Sequence, residues 1–236
     1  MWNSLTIAVI LPTYNEADSI AACIGGFEAL GIVDDIVVVN NNAHPHTSPA
    51  VATTTAREVH ESLQGYGAAI RRGIAETRGA DLVCICEPDG TFDPSDILKL
   101  LPFTVDVDVA LGSRTVQTFI LSGANMGWFL RWGNWAVAKL TEILFNTVSL
   151  TDVGCTFRVL TRDAIDRIEP HFELHESSFG FEMMLLIARQ RIPFVQVPVK
   201  YQERVGQSSV TGDRRTTIEL GLSMIALCLR HRFRYR

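Results

Sequence analysis

Residues 84–94 read CICEPDGTFDP, and this stretch determines how the rest of the chain is interpreted. An apolar run ends in two acids, Glu87 and Asp89, which are separated by Pro88 and followed by a glycine. Proline and Asp-Gly favour turns, so the pattern predicts a buried strand that stops in an acidic turn. The two acids either cap and solvate the end of that strand or hold a ligand there.

Similar apolar runs recur along the chain and alternate with segments of helical periodicity. The predicted strands are LTIAVIL, with Thr6–Leu11 stopped by Pro12, then DDIVVV, a short run near Val59, DLVCIC and VDVALG. Continuous β-branched runs are typical of parallel strands that are buried on both faces. We therefore predict an α/β protein whose central sheet is mostly parallel, with helices on both faces.

The second half of the chain has longer helical segments and fewer strands. Helices are predicted at 123–150, 179–191 and 216–233, and strands at GCTFRVLTR and PFVQVPVKY. A shorter helix is expected after Pro94, with Ser95 as its N-cap. Because no repeat, low-complexity segment or linker interrupts the sequence, we expect one domain.

Composition excludes several classes of protein. The chain has 236 residues, of which 47% are hydrophobic, and its net charge of −5 gives no indication of a nucleic-acid partner. The five cysteines form no CxxC pair, so reduced thiols and a cytoplasmic location are expected. The N-terminus lacks the pattern of a signal peptide, and the apolar run LGLSMIALCL is too short to span a bilayer. We expect a protein that is soluble or peripheral at the cytoplasmic face of a membrane.

Two features of the second half are suited to a lipid surface. Trp128, Trp132 and Trp135 share one face of a predicted helix, where they either pack in the core or face an acceptor groove or a membrane. The tail carries an arginine at every second position, namely at Arg230, Arg232, Arg234 and Arg236. These arginines either meet phosphate head groups or form a solvated terminus.

Three predicted strands end in polar sequences, namely Pro12–Glu16, Asn40–Asn42 and Glu87–Asp89. Ligands of open parallel sheets bind at the carboxyl ends of the strands, so these three sequences are expected to meet at one edge. Carboxylate oxygens are the ligands that Mg²⁺ and Mn²⁺ prefer, often together with substrate phosphates. The sequence therefore predicts a site for Mg²⁺ or Mn²⁺ and a diphosphate.

Six motifs occur in the order and spacing of the family 2 glycosyltransferases: VILPTYNEADSI, GYGAAIRRGI, CEPDGTFDPSDI, LGSRT, DVGCTFRV and VPVKYQERVGQSS. From position 6 to 212 the chain resembles the dolichyl-phosphate mannose synthases and other polyprenyl-phosphate sugar transferases. The resemblance implies a GT-A catalytic domain over residues 1–212, followed at 213–236 by a helix with a basic tail. It also implies metal-dependent, inverting transfer of a sugar from a nucleotide-diphosphate sugar to a polyprenyl phosphate.

The resemblance assigns roles to individual residues. Glu87 and Asp89 match the D-x-D acids that bind metal and diphosphate. The nucleotide site comprises Pro12, Tyr14, Glu16, Asn40, Asn42, Gly67 and Asp89. The acceptor phosphate is assigned to Arg114, Arg131, Arg158, Arg204 and Ser208. The catalytic residues are Asp89, Arg114, Arg204 and Asp152.

The chain departs from the family pattern at three places. Relatives have Asp-Asp-Gly-Ser where this chain has Asn40–Ala43, and an aspartate there contacts the base. The first D-x-D acid is Glu87, which is longer but keeps the charge. Many relatives have Gly-x-Ser-Lys where this chain has Gly206–Ser209, so a cation near the acceptor is missing.

These departures leave alternatives to the lipid-phosphate acceptor. A phosphate anion needs no strong general base, whereas a soluble alcohol, such as a sugar or secondary metabolite, requires one. Asp152 and Glu182 are the candidate bases in that case. A third alternative is a relative that binds the nucleotide without turning it over.

Overall fold

The computed structural model describes residues 1–121, 123–124, 128–206 and 214–233, with 128–130 and 214–218 described in backbone only. The strands are β1 Ile7–Thr13, β2 Asp35–Asn40, β3 Arg57–His60, β4 Leu82–Ile85, β5 Val109–Ser113, β6 Arg158–Thr161 and β7 Phe194–Pro198. The α-helices are α1 Ile20–Glu28, α2 Thr47–Val51, α3 Tyr66–Glu76, α4 Ile97–Leu100, α5 Trp128–Phe145, α6 Arg162–Ile168, α7 Phe179–Arg189 and α8 Arg214–Phe233. Short 3-10 helices cover Pro94–Asp96, Leu101–Val105, Gln117–Phe119 and Glu169–His171.

In the described part of the chain the strands form one seven-stranded sheet in the order β3-β2-β1-β4-β6-β5-β7. Only β6 runs antiparallel to its neighbours in this sheet, so the predicted mostly parallel α/β architecture is confirmed. Because β6 is reversed, its first residue lies where the parallel strands end. Arg158 is paired there with Ile85 of β4 and Leu111 of β5.

The prediction that Pro12 stops the first strand is wrong, because β1 continues through it to Thr13. The carbonyl of Ile10 accepts a hydrogen bond from Cys86, whereas that of Thr13 accepts one from Asn41 on the other side. Pro12 therefore faces the β4 side, beyond the last β1–β4 pair. A proline is tolerated at that position because no ladder bond needs its missing N–H.

The sheet separates two apolar layers. Val9 and Cys84 point into one layer with α1, and Ile10 and Ile85 point into the other with α3 and α7. Cys86 lies in the same layer as Cys84, as expected for alternate residues of a buried strand. All five cysteines are free and buried.

The N-cap predicted after the acidic turn is also wrong. Asp93, not Ser95, caps the helical segment, because its Oδ1 accepts from the backbone N–H of Ser95 at 2.9 Å and from the hydroxyl at 2.6 Å. Pro94 occupies the first helical position, which suits a residue without an N–H, and this moves the cap one residue earlier.

Helix α8 packs against α5 and α7, with Leu227 and Cys228 buried between them. Trp132 and Trp135 on α5 are 51% and 42% exposed, so core packing is wrong for these two residues. The two indole rings contact edge to face, with their centroids 5.6 Å apart. The side chain of Trp128 is not among those that the structure describes.

The glycines at the start of α3 allow a close approach of the chain before α7. Gly65 has a φ of 146°, and a Cβ there would overlap the carbonyl of His175. A Cβ on Gly67 would lie 2.6 Å from the Cβ of Phe179. The GYG motif therefore fits α3 against the segment that leads into α7.

Gly67→Ala should lower the free energy of unfolding by about 1–3 kcal/mol, the usual cost of overpacking. Urea unfolding followed by circular dichroism measures the change. Gly25→Ala in α1 is the control, because among the described residues no atom beyond its chain neighbours and its own helix backbone lies within 4 Å of the added methyl group. Alanine at that position should stabilise the helix by roughly 0.5–1 kcal/mol. Equal stability of the two variants would contradict the packing role of Gly67.

Candidate active site

The acidic turn after β4 is held in a fixed shape by its own hydrogen bonds. Asp89 is buried, and its Oδ1 accepts from the N–H of Thr91 at 2.9 Å and from the Thr91 hydroxyl at 2.6 Å. Gly90 has a φ of 81°, a conformation that glycine adopts without strain. The Oδ2 atom of Asp89 is therefore left to face a cation.

Arg204 provides that cation in this structure. Its Nε lies 2.7 Å from Asp89 Oδ2, and its Nη2 lies 3.2 Å from Glu87 Oε2. The N–H of Val205 also donates to the carbonyl of Asp89 at 2.9 Å, so the segment around Arg204 lies along the acidic turn. A metal ion that binds these two carboxylates must share them with Arg204 or displace it.

The two acids are close enough to change each other's ionisation. Burial and the charge of Asp89 raise the pKa of Glu87 to about 7, although Arg204 and Arg114 act in the opposite direction. A bound cation would favour the ionised form of Glu87, as an opposite charge does in general.

The donor set fits a magnesium or manganese ion. In the part of the chain that the structure describes, no three His, Cys, Asp or Glu side chains group together as a metal site. Two carboxylates are enough for Mg²⁺ when substrate phosphates and water complete the coordination. Glu87 and Asp89 can therefore hold the ion only together with a phosphate-bearing ligand.

Arg114, which follows β5, is held by Asp152. The Nε and Nη2 atoms of Arg114 donate to the two carboxylate oxygens, each at 3.0 Å. Asn134 of α5 and the N–H of Gly154 also donate to Oδ1, at 2.6 and 2.9 Å. The guanidinium lies 5.3 Å from the ring centroid of Tyr201. Arg114 thus presents its remaining N–H groups in a fixed orientation.

The structure argues against the two candidate bases. Burial raises the pKa of Asp152, but the charge and hydrogen bonds of Arg114, with one from Asn134, outweigh it and hold the pKa at about 2. Glu182 is fully buried in α7 and accepts from the backbone N–H groups of Glu173 and Leu174. Burial raises its pKa, and it does not line the cavity described below. Asp152 instead positions Arg114, and Glu182 holds the preceding loop.

Near the acidic turn, Glu16 shapes the loop after β1. Its Oε2 accepts from the N–H groups of Tyr14 and Asn15 at 2.7 and 2.8 Å. Asn40 is turned inward, with Nδ2 on Glu58 at 2.7 Å. Of the three asparagines, Asn41 lines the cavity, whereas Asn40 and Asn42 do not. The cavity is also lined by Gln64, a residue that the sequence did not single out.

Of the remaining residues to which the resemblance assigned a role, only some lie at the cavity. Arg158 lines the cavity and is 3% exposed, with Nη1 and Nη2 donating to the carbonyls of Gly180 and Cys155 at 2.9 and 2.5 Å. Arg131 is on α5 and Gly67 on α3, and neither is among the described residues that line the cavity. Ser208 lies outside the described residues.

The acidic turn, Arg114, Arg158, Arg204 and the loop after β1 surround one cavity of about 1100 Å³ at the carboxyl edge of the sheet. One end contains the acidic turn and the two arginines. The other end is apolar and lies between α5 and α8, where Val137, Leu140, Leu222, Met224 and Ile225 line it. The sequence did not predict this apolar wall, because it forms only when two helices about 90 residues apart in the chain pack together. Tyr201 was also missed, although it lies within the quoted VPVKYQER motif.

Comparison with known proteins identifies relatives of this chain in sequence and in fold. The sequence model described as glycosyl transferase family 2 matches residues 8–169. An undecaprenyl-phosphate mannosyltransferase from Micrococcus luteus is 26% identical over 223 residues, covering 88% of each chain. A dolichyl-phosphate hexose transferase from Haloferax volcanii is 27% identical over 232 residues, covering 97% of this chain and 96% of that protein.

Two further matches differ in coverage or in identity. The chain spans only 50% of the length of the low-salt glycan biosynthesis hexosyltransferase Agl6 of Haloferax volcanii, with 26% identity over 211 residues. A glucosyl-3-phosphoglycerate synthase from Mycobacterium tuberculosis, crystallised with Mg²⁺ and UDP, has a TM-score of 0.75 at 15% identity. That match covers 97% of this chain and 80% of the other, and it shows that the two folds are alike.

Asp152→Asn should reduce stability most at neutral pH. The variant leaves Arg114, whose side chain is only 15% exposed, without its carboxylate. Breaking a buried ion pair in this way typically costs about 3–5 kcal/mol, and the partial exposure of Arg114 favours the lower end. The pKa of Asp152 is about 2 in the folded protein and about 3.9 in an unfolded chain. Its stabilisation is therefore complete above the unfolded value and is lost as the pH falls toward 2. The difference in unfolding free energy between wild type and variant should shrink by about 2–3 kcal/mol over that range.

Urea unfolding between about pH 7 and pH 2 measures this difference. Asp163→Asn is the control, because that carboxylate is 76% exposed and lies 4.0 Å from Arg167. A stability difference for Asp152→Asn that does not change with pH would show that the ion pair with Arg114 is not its source.

Proposed function

The chain belongs to glycosyl transferase family 2, and from this premise we propose that it transfers a sugar from a nucleotide-diphosphate sugar to a polyprenyl phosphate. The main observation in support of this proposal is that one cavity combines an acidic turn, two arginines and an apolar wall. A phosphate on an isoprenoid chain has both characters, being charged at one end and apolar along its length. Two relatives that align over most of their own length are named for undecaprenyl and dolichyl phosphates, which supports this acceptor.

The donor diphosphate is assigned to the acidic turn. Glu87 and Asp89 would hold Mg²⁺ or Mn²⁺, which supplies charge neutralisation for the diphosphate leaving group. Arg204 is already paired with the same carboxylates, so it provides a second positive charge at this position. Its planar fork is suited to two phosphate oxygens at once. Tyr14 and Glu16 shape the adjacent nucleoside end of the cavity.

The acceptor phosphate is assigned to Arg114, and Arg158 lines the same cavity. The Nε and one Nη2 hydrogen of Arg114 are used by Asp152, which leaves the other N–H groups of its fork for the phosphate. An acceptor oxygen bonds to the anomeric carbon from the face opposite the departing diphosphate, so the configuration inverts. The acceptor oxygen is already an anion, so it needs no base. An alcohol acceptor is less favoured, because Asp152 is committed to Arg114.

The outer faces of α8 and α5 support peripheral contact with a membrane. In α8, Leu229 and Phe233 are 40% and 59% exposed and lie on one face. Trp132 and Ile143 of α5 are 51% and 76% exposed. None of the helices in the described ranges has the length and apolar character that crossing a bilayer requires. We assign residues 1–212 to the catalytic domain and 213–236 to a C-terminal helix with a basic tail, and α8 presents this face to the lipid.

Transfer should be seen with polyprenyl phosphate and not with the corresponding polyprenol. Incubation of the protein and Mn²⁺ with radiolabelled nucleotide sugars and either lipid measures this. Asp89→Asn should reduce transfer by about a thousandfold or more, since metal and diphosphate lose a shared ligand worth several kcal/mol. Asp93→Asn is the control in the same turn, because Asp93 contacts Ser95 and Lys200 and lies off the cavity. Transfer to the alcohol, or an active Asp89→Asn, would overturn the proposal.

Leu229→Asp should weaken binding to anionic vesicles by about tenfold or more, as expected when one buried leucine is lost. Flotation with phosphatidylglycerol vesicles measures the bound fraction. Transfer to a short, water-soluble polyprenyl phosphate should be unchanged, because Leu229 does not line the cavity. Ser223→Asp, on a different face of α8, is the matched control. Equal flotation of the two variants would exclude this face as the membrane contact.

A further inference from the structure

The nucleoside end of the cavity contains a glutamine whose orientation is fixed by two asparagines. Gln64 lies in the loop Glu61–Gly65, here called the glutamine loop, and lines the cavity beside Tyr14 and Asn15. The loop packs against Asn40–Asn42, here called the asparagine turn. In the related glycosyltransferases an aspartate of this turn contacts the base, so the function of the three amides needs another explanation.

The first asparagine contact orients the nitrogen of Gln64. The Nδ2 group of Asn41 donates to the carbonyls of Glu61 and Leu63 at 2.9 and 2.7 Å. Since carbonyls only accept, the other end of this amide must be oxygen. That oxygen accepts from Gly65 N at 2.8 Å and from Gln64 Nε2 at 3.2 Å. All hydrogen-bonding capacity of Asn41 is used within the protein, so it has none left for a base.

The second asparagine contact orients the oxygen of Gln64. Asn42 donates from Nδ2 to the carbonyl of Ser62 at 3.2 Å and to Gln64 Oε1 at 3.0 Å. The φ of Asn42 is 55°, which asparagine adopts more readily than most residues. Both partners therefore specify the same orientation of the Gln64 amide, and a half-turn of that amide would place like groups against each other.

One N–H and one lone pair of Gln64 have no partner among the residues that the structure describes. A freely rotating amide can pair with bases of either polarity, because turning it over exchanges donor and acceptor. The amide of Gln64 cannot do so without losing both asparagine contacts. Its fixed polarity distinguishes keto bases, which place an oxygen beside a ring N–H, from amino bases, which place an NH₂ group beside an unprotonated ring nitrogen.

We propose that Gln64 selects the base of the donor nucleotide, and that Asn42 positions it to separate keto bases (uracil, thymine, guanine) from amino bases (cytosine, adenine). The inference rests on the proposed function, because it takes the donor to be a nucleotide-diphosphate sugar. Selection of the base is thereby assigned to Gln64 of the glutamine loop and not to the asparagine turn after β2. The asparagine turn then acts as the scaffold of the selecting residue.

UDP and CDP form the sharpest test, because they are nearly identical in size and differ only in polarity at two adjacent ring positions. Isothermal titration of each nucleotide into the Mn²⁺-supplemented protein should give affinities that differ by about tenfold or more, the effect of roughly one mispaired polar group. If UDP binds more tightly than CDP, GDP should also bind more tightly than ADP. If CDP is preferred to UDP, ADP should likewise be preferred to GDP.

Gln64→Ala should bring the UDP to CDP affinity ratio close to one. Asn42→Gly keeps the positive φ but removes the amide that orients Gln64, so it should reduce the ratio with little loss of affinity for the preferred nucleotide. Leu63→Ala is the matched control, because its side chain is 52% exposed and its backbone carbonyl is unchanged. The control should keep the wild-type ratio.

The outcomes separate this inference from the proposed function. Equal affinities for UDP and CDP in the wild type, or an unchanged ratio in Gln64→Ala, would overturn the role of Gln64 and leave the donor site intact. If none of the four nucleotides binds folded protein in the presence of Mn²⁺, the donor site itself is wrong, and the inference falls with it.

Discussion

The pairing of Asp152 with Arg114 is the interaction on which the geometry of the site depends. A buried carboxylate is costly unless its charge is matched and its oxygens are hydrogen-bonded, and both conditions are met here. The partners come from different elements: Arg114 follows β5, Asn134 is in α5, and Gln196 of β7 accepts from the Asp152 backbone N–H. Satisfying one buried charge thus fixes the relative positions of three elements around the cavity.

The acidic turn lies at the same end of the cavity and follows the same electrostatic rule. Glu87 and Asp89 lie close together and Arg204 reaches both, so the cluster compensates its charge before any ligand arrives. A metal ion with a diphosphate brings charges of both signs, so it can replace these contacts without leaving a group unpaired. Arg204, which compensates the charge of the two acids, is then near the diphosphate, where its positive charge assists departure of this leaving group.

The asparagine turn shows how residue type determines the role of a position after β2. A carboxylate after β2 could only accept hydrogen bonds, and it would repel the carbonyls of Glu61 and Leu63 that the Asn41 amide binds. An amide donates as well as accepts, so it can hold the neighbouring loop and transfer contact with the ligand to Gln64. The resemblance to family 2 enzymes located this region, but it did not indicate which side chain faces the cavity.

The sequence by itself determined the mostly parallel sheet, the acidic turn at the end of β4 and the family, because β-branched runs, proline and Asp-Gly turns and motif spacing are local signals. It misplaced the end of β1, which depends on the strand that lies beside Pro12. The helix cap was a misinterpretation of a local signal, because Pro94 at the first helical position moves the cap to Asp93. The sequence also suggested Asp152 as a base, because a carboxylate in isolation looks reactive. Only the tertiary structure decided these roles, because the deciding contacts are non-local: Arg204 and Asp89, for example, are 115 residues apart in the chain yet 2.7 Å apart in space. The chemistry of a polar side chain is set by the partners that the fold brings within hydrogen-bonding distance, and no local pattern encodes them.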